Sequence, residues 1–279
     1  MGACAPVVAR VPLPRTLLRG ARRPQIALVG LPRTGKSTIF QAASSTSVEA
    51  GALAGSALSF STCQVNIGLE QAALVDLPPL KTFHDLEDAD RLLLTALLDG
   101  AAGFKAPDLL IQVVDATALE PNLAFAQELC QLGKPLVIAL NRLDEAREKG
   151  IYINVAALSE ALGVPVVPTV AHMGKGIGSL FETALELLRA GRCPLSQSPG
   201  QHLRKALAPL NAILDQPAVE AAFRVPRSLL LTQIARGETW FAAEMARRFP
   251  ALVPAVEAAR GEAARQLPRP LAEEIFADR

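Results

Sequence analysis

The sequence predicts an α/β domain, a mainly parallel sheet covered by helices on both faces, followed by an all-helical domain. Three observations predict it. From residue 25 to 188, short continuous apolar runs alternate with helical patterns. Strands of a parallel sheet read that way because crossover helices bury both of their faces. The first apolar run leads directly into Gly30-Leu31-Pro32-Arg33-Thr34-Gly35-Lys36-Ser37-Thr38, which fits G-x-x-x-x-G-K-[ST] between a strand and a helix. Beyond residue 200 only helical periodicity remains.

Composition sets the outer limits. The chain has 279 residues, which suits one large domain or two ordinary ones. Half of the residues (50%) are apolar, enough for a sizeable core. A net charge of +1 gives no electrostatic case for nucleic acid or an anionic membrane as main partner. Cys4, Cys63, Cys130 and Cys193 are scattered without metal-ligand spacing and read as structural residues of a reducing compartment. The run Leu92–Leu98 is apolar but far shorter than the roughly 18 residues that span a bilayer.

The elements follow in order. Residues 1–24 form an arm with Arg10, Arg15, Arg19, Arg22 and Arg23, and no acid precedes Glu49. A targeting peptide and a loosely attached extension both fit that composition; the lack of a long apolar core favours the extension. Over 25–190 the strand runs are Ile26–Val29, Ala72–Val75, Leu109–Val114, Leu136–Leu140 and Val164–Pro168. The helical patterns are Ser37–Ser44, Leu123–Gly133, Val155–Leu162 and Ile177–Leu188. Ser45 to Gly55, small and polar, reads as a mobile loop. Leu58 to Gln64 alternates, which suits an antiparallel edge strand paired with Ala72–Val75 across a turn near Gly68. After a Gly/Pro/Ser-rich linker, a helical domain over 201–279 carries patterns at 201–214, 217–223, 226–236, 239–248, 251–266 and 270–277. It has no convergent polar groups, and packing or regulation is its expected role.

The chemistry gathers at the strand ends, where parallel sheets bind ligands. In the glycine loop, backbone N–H groups turn inward toward phosphate oxygens, and the next helix offers its N-terminus to the same anion. Lys36 supplies a point charge for the outer phosphates, and Ser37 offers a hydroxyl to Mg²⁺. Asp76 ends the second core strand and suits the Mg²⁺ shell through water; a helix cap is the plainer reading. Asn141-Arg142-Leu143-Asp144 follows another strand. The Asp144 carboxylate is able to accept both the ring N–H and the exocyclic amine of guanine, a donor pair that adenine lacks. Its alternative is a cap for the helix at Glu145. Asn141 would tie this loop to the phosphate loop, and the flat Arg142 guanidinium suits stacking on a base. Val170-Ala171-His172 follows the last strand. By itself His172 reads more readily as a surface histidine than as a ligand.

These motifs stand in the order of a small GTPase domain. Val113-Val114-Asp115-Ala116-Thr117-Ala118-Leu119-Glu120-Pro121-Asn122-Leu123 resembles a segment of FeoB-type ferrous iron transport proteins. So do Leu129–Pro135, Leu158–Pro168 and Gly174-Lys175-Gly176-Ile177. The resemblance covers about residues 25 to 188, and Leu230 to Trp240 resembles the family's helical regulatory segment. It implies a P-loop GTPase domain followed by a helical domain that inhibits nucleotide dissociation. It also implies GTP or GDP as ligand, a cytoplasmic position at the inner face of the membrane, and a polytopic membrane domain in cis or in trans that carries Fe²⁺. In the family, the loop matching Val170, Ala171 and His172 brings a backbone N–H to guanine O6. An oligomer is compatible with the sequence.

The chain departs from the family at three places. Leu31 and Arg33 replace two phosphate-loop asparagines, the second of which is linked to a K⁺ ion that assists hydrolysis. Arg33 is expected either to act as a built-in positive charge or to face solvent with the K⁺ site lost. In Asp76-Leu77-Pro78-Pro79, Pro79 stands where a glycine N–H usually reaches the γ-phosphate, and proline has none to give. For the first switch, Ser59 is the candidate Mg²⁺ ligand and Ser61 the alternative. Three expectations follow: slow GTP hydrolysis linked to ferrous iron transport; a nucleotide-holding regulator with little turnover and weak GTP/GDP discrimination; or, disfavoured by Asp144, an ATPase.

Overall fold

The computed structural model describes residues 23–53, 58–80, 87–101, 103–191, 193, 200–223 and 225–277. Residues 1–22 of the basic arm and 194–199 of the linker lie outside this set. The chain forms two compact units whose main division falls between Leu195 and Ser196.

The first unit runs β1 (Gln25–Val29), α1 (Lys36–Ala43), β2 (Glu49–Ala52), β3 (Ser59–Ile67), β4 (Glu70–Asp76), α2 (Asp88–Asp99), β5 (Leu109–Asp115), α3 (Leu119–Cys130), β6 (Leu136–Asn141), α4 (Leu143–Glu148), α5 (Val155–Leu162), β7 (Val166–Pro168) and α6 (Ile177–Ala190). One sheet of 7 strands takes the order β2-β3-β4-β1-β5-β6-β7. The pairings β4-β1-β5-β6-β7 are parallel, and β2 and β3 extend that edge antiparallel. The central strands are the continuous apolar runs, since each must be buried on both faces. Ile26, Leu28, Leu109, Ile111 and Val113 face Ile39 and Phe40 of α1 and Leu180, Phe181 and Ala184 of α6 in one core. On the opposite face, Gln112 donates from Nε2 to the Asn122 carbonyl of α3 at 2.8 Å.

The β3–β4 hairpin has the expected antiparallel register, with Cys63 opposite Leu74 across the turn at Gly68. Three expectations need correction. Glu49–Ala52, taken as mobile loop, is a strand on β3. The third helix begins at Leu119, before Pro121, because a proline in the first helical turn forfeits no intrahelical bond. Leu92–Leu98, read only as too short for a membrane span, lies in a helix, Asp88–Asp99, that buries Leu93, Leu94, Ala96 and Leu97.

The second unit is helical: α7 (Gln201–Leu214), α8 (Pro217–Phe223), α9 (Arg227–Arg236), α10 (Thr239–Arg248), α11 (Val253–Gln266) and α12 (Leu271–Ala277). Along α7, Leu203, Ala206, Leu207, Leu210 and Leu214 form the buried stripe that a 3.6-residue period requires. Glu238 caps α10 by accepting from the Phe241 N–H at 3.0 Å. No described helix is long and apolar enough to cross a membrane.

Candidate nucleotide-binding site

The parallel register brings five strand ends to one edge of the sheet. Leu28 lies opposite Asp76, Val29 opposite Gln112, Asp115 opposite Asn141, and Leu140 opposite Pro168. These ends and the segments leaving them hold every residue that the sequence motifs single out, apart from Ser59 and Ser61.

The phosphate loop is shaped by close approach. A Cβ on Gly30 would stand 2.7 Å from the Val113 carbonyl oxygen, and one on Gly35 would stand 2.4 Å from Asn141 Nδ2. Gly35 is left-handed (φ 94°) and opens α1 with no side-chain cap and no acid in the first turn. That helix end is therefore left to an anion. Thr34 is buried and closes the loop from inside, its Oγ1 donating to the Leu31 carbonyl at 3.0 Å. Pro32, Arg33, Ser37 and Thr38 are exposed. Arg33 adopts φ 65°, a left-handed conformation that costs an L-residue about 1 kcal/mol.

Lys36 is 8% exposed. Burial pushes its pKa down, with nearby Asp76 opposing. Burial pushes Asp76 up, opposed by its bond to Ser37 and by the Lys36 charge. Ser37 Oγ donates to Asp76 Oδ2 at 2.8 Å, while Asp76 Oδ1 is buried with no hydrogen-bond partner. A hydroxyl and a carboxylate with an unused oxygen form a hard-oxygen set that fits Mg²⁺. Asp76 is not a helix cap, because the residues that follow it, 77–80, are not helical. Ser61 lies opposite Asp76 in the β3–β4 register, whereas Ser59 begins β3 opposite Ala52. Directly opposed residues share a face of the sheet, so the register favours Ser61 over Ser59 as the residue beside Asp76. Leu77 and Leu80 are buried around an exposed Pro79, and the Leu77 N–H points at the Leu28 carbonyl, 3.4 Å away.

Asn141 ties the site together. Its Nδ2 donates to the Thr34 carbonyl at 3.0 Å, and its Oδ1 accepts from the Ala171 N–H at 3.0 Å. Phosphate loop, β6 and the loop after β7 thus meet on one amide that is 2% exposed. Arg142, left-handed at φ 61°, is the residue before α4, so Asp144 lies inside the first turn instead of capping it. Asp144 Oδ1 is buried with no hydrogen-bond partner, and its Oδ2 lies 3.5 Å from His172 Nε2. The Val170 N–H donates to the Lys175 carbonyl at 3.0 Å, which closes the loop after β7. Within this loop, from which a backbone N–H is expected to reach a base, the Ala171 N–H is given to Asn141.

Three residues were given no role at the site by the sequence, although two of them lie in the stretch that carries the resemblance. Asp115 and Thr117 lie at the end of β5, and Thr169 Oγ1 reaches toward Asn141 Oδ1 at 3.4 Å. The signal for Asp115 was its place at a strand end, equivalent to that of Asp76.

With this geometry, likeness to known proteins becomes informative. Residues 24–184 match the family model described as ferrous iron transport protein B. The chain is 38% identical over 159 residues to the Fe(2+) transporter FeoB of Escherichia coli (strain K12), covering 56% of this chain and 20% of that protein. It is 33% identical over 163 residues to an Fe(2+) transport protein A/Fe(2+) transporter FeoB fusion protein of Porphyromonas gingivalis (strain ATCC BAA-308 / W83), covering 58% of this chain and 19% of that protein. The chain therefore spans about a fifth of the length of the curated relatives it matches. Among solved structures, an S. thermophilus NFeoB mutant bound to GDP shares the fold, with TM-score 0.77 and 22% identity over 92% of this chain and 95% of that one. Family model, relatives and fold agree, and this chain belongs to the ferrous iron transport protein B family.

Proposed function

We propose that this chain binds guanine nucleotide with Mg²⁺, hydrolyses GTP slowly, and serves as the nucleotide-responsive part of a ferrous iron transport system. The observation that carries the reading is the buried Asp144 Oδ1, which has no partner in a loop that Asn141 ties to the phosphate loop. Inside a protein, an unpaired carboxylate oxygen is costly, and the N–H donors of guanine would remove that cost. Because Ala171 gives its N–H to Asn141, guanine O6 would take the N–H of His172. Lys36, Ser37 and the first-turn N–H groups of α1 would hold the phosphates. Ser37 and Asp76 would hold Mg²⁺, Asp76 through water, with Ser61 a better third candidate than Ser59. The ion would neutralise charge on the phosphates.

Two features support slow turnover. Pro79 has no N–H for a γ-phosphate. Its neighbours Leu77 and Leu80 are buried, which limits how far this segment moves. Arg33 is exposed, and its guanidinium has no partner among the described residues, so it is available as a positive charge at the phosphate loop. The Pro79 segment also supports the second reading, a regulator that holds GDP or GTP without useful turnover. The family and the curated relatives support a membrane domain for Fe²⁺, in cis or in trans, and a cytoplasmic position for this part.

Calorimetric titration with GTP, GDP and ATP in Mg²⁺ tests base choice and γ-phosphate sensing together. Guanine nucleotides should bind with GTP and GDP within a few-fold of each other, and ATP much more weakly. Equal binding of ATP would sink the guanine reading. Phosphate release over many turnovers separates slow GTPase from regulator.

A further inference from the structure

Asp115 ends β5 opposite Asn141, is 9% exposed, and divides its two oxygens between two tasks. Oδ1 accepts from the Thr117 N–H and from Thr117 Oγ1, each at 2.8 Å. That pair fixes the carboxylate in place. Oδ2 then accepts from Arg142 Nη1 at 3.1 Å. The other arm of the same guanidinium, Nη2, donates to the Arg33 carbonyl at 2.8 Å. On its outer side, Nε lies 3.8 Å from Glu145 Oε1, a longer and more exposed contact.

Arg33 and Arg142 are the two non-glycine residues with positive φ among the described residues. The contact therefore runs from the side chain of one strained residue to the backbone of the other. A left-handed peptide in an L-residue relaxes readily unless its surroundings hold it. At Arg33 the holding group is the planar fork of Arg142, and the group that aims the fork is Asp115. A lysine at 142 would bring one point charge and would not serve both acceptors in that fixed geometry.

Building on the guanine-nucleotide reading above, we infer that Asp115 is a positioning residue of this site. Through Arg142 it locks the corner of the phosphate loop at Arg33 to the base-recognition loop, and so slows nucleotide release. Asp115 touches no nucleotide in this role. Its lock is separate from the Asn141 tie, which grips the adjacent Thr34 carbonyl from inside the protein. Selectivity between purines stays with Asp144.

Dissociation of a fluorescent GDP tests this in the full chain. Asp115→Asn keeps an acceptor for Thr117 but turns an NH₂ group toward the Arg142 donor. Release should become about tenfold faster, the size expected for losing one charge-assisted bond. The preference for GDP over ADP should not change. Arg142→Lys should speed release to a similar degree, and the double variant should be no faster than Arg142→Lys alone, since the two residues act as one device. Release within about twofold of the unmodified chain in Asp115→Asn, or multiplied effects in the double variant, would overturn the inference. If Asp115→Asn does not fold, Arg142→Lys, whose side chain is partly exposed, carries the test on release rate and purine preference. Amide hydrogen exchange over residues 30–38 in nucleotide-free protein should rise in both single variants. An unchanged exchange rate there overturns the lock without reference to any nucleotide. A failure of the unmodified chain to bind GDP overturns the guanine reading instead.

Discussion

At the base end of the site, Asn141 has both sides of its amide satisfied inside the protein. At the phosphate end, Lys36 and Asp76 carry charges that burial disfavours, and Asp76 Oδ1 has no partner. On the proposed reading, the base end is therefore tied together by the protein itself apart from Asp144 Oδ1, while the phosphate end holds charges that a bound phosphate and cation would balance. The difference teaches where change is tolerated. Set against the family pattern that the sequence resembles, the phosphate end departs at Leu31, Arg33 and Pro79, and at the base end Arg142 stands for the usual lysine. Asn141 and Asp144 match that pattern, and altering a satisfied buried network costs stability as well as affinity.

Four measurements break or sharpen that contrast. Asp144→Ala should lower GDP affinity about 50-fold and leave ATP affinity unchanged, since two charge-assisted bonds to guanine are lost. A matched loss for ATP in calorimetry would place Asp144 in the scaffold instead. Asn141→Ala should cost about 2–3 kcal/mol of stability in nucleotide-free protein, because it strands the Thr34 carbonyl and the Ala171 N–H in a buried place. Denaturant titration reads this, and a loss confined to nucleotide affinity would contradict a preassembled base end. Pro79→Gly, at the adaptable end, should raise the ratio of GTP to GDP affinity about fivefold by restoring one N–H donor. An unchanged ratio would mean that burial of Leu77 and Leu80 fixes this segment whatever its composition. The smallest effect is expected for Arg33→Asn: hydrolysis that ignores the choice of K⁺ or Na⁺ in the unmodified chain should become stimulated by K⁺ about threefold in the variant. Strong K⁺ stimulation of the unmodified chain would remove Arg33 from any role as a built-in charge.

Much of the fold was legible because the central strands are buried on both faces. Ile26–Val29, Leu109–Val114 and Leu136–Leu140 admit few other readings. The edge was harder. Glu49–Ala52 is small and largely exposed, and it is a strand because β3 offers it a hydrogen-bonding partner. The one packing requirement there is Gly51, where a Cβ would stand 2.5 Å from the Phe60 ring. No local pattern carries such a contact. The site was legible in its motif residues for the same reason that motifs exist: Gly30, Lys36, Asn141 and Asp144 do chemistry that few residue types can do. Asp115 was not, because its partner Arg142 lies on a neighbouring strand end and a lone aspartate after an apolar run has several ordinary uses.

The Asn141 amide also bears on the order of assembly. The phosphate loop follows the first strand, yet its Thr34 carbonyl waits for a residue at the end of β6, whose other face waits for the loop after β7. Contacts so distant in sequence form late, because the intervening chain must first be confined. Capture of nucleotide should therefore appear only once the last strands have docked, which would make ligand binding an all-or-none reporter of completed folding in this unit.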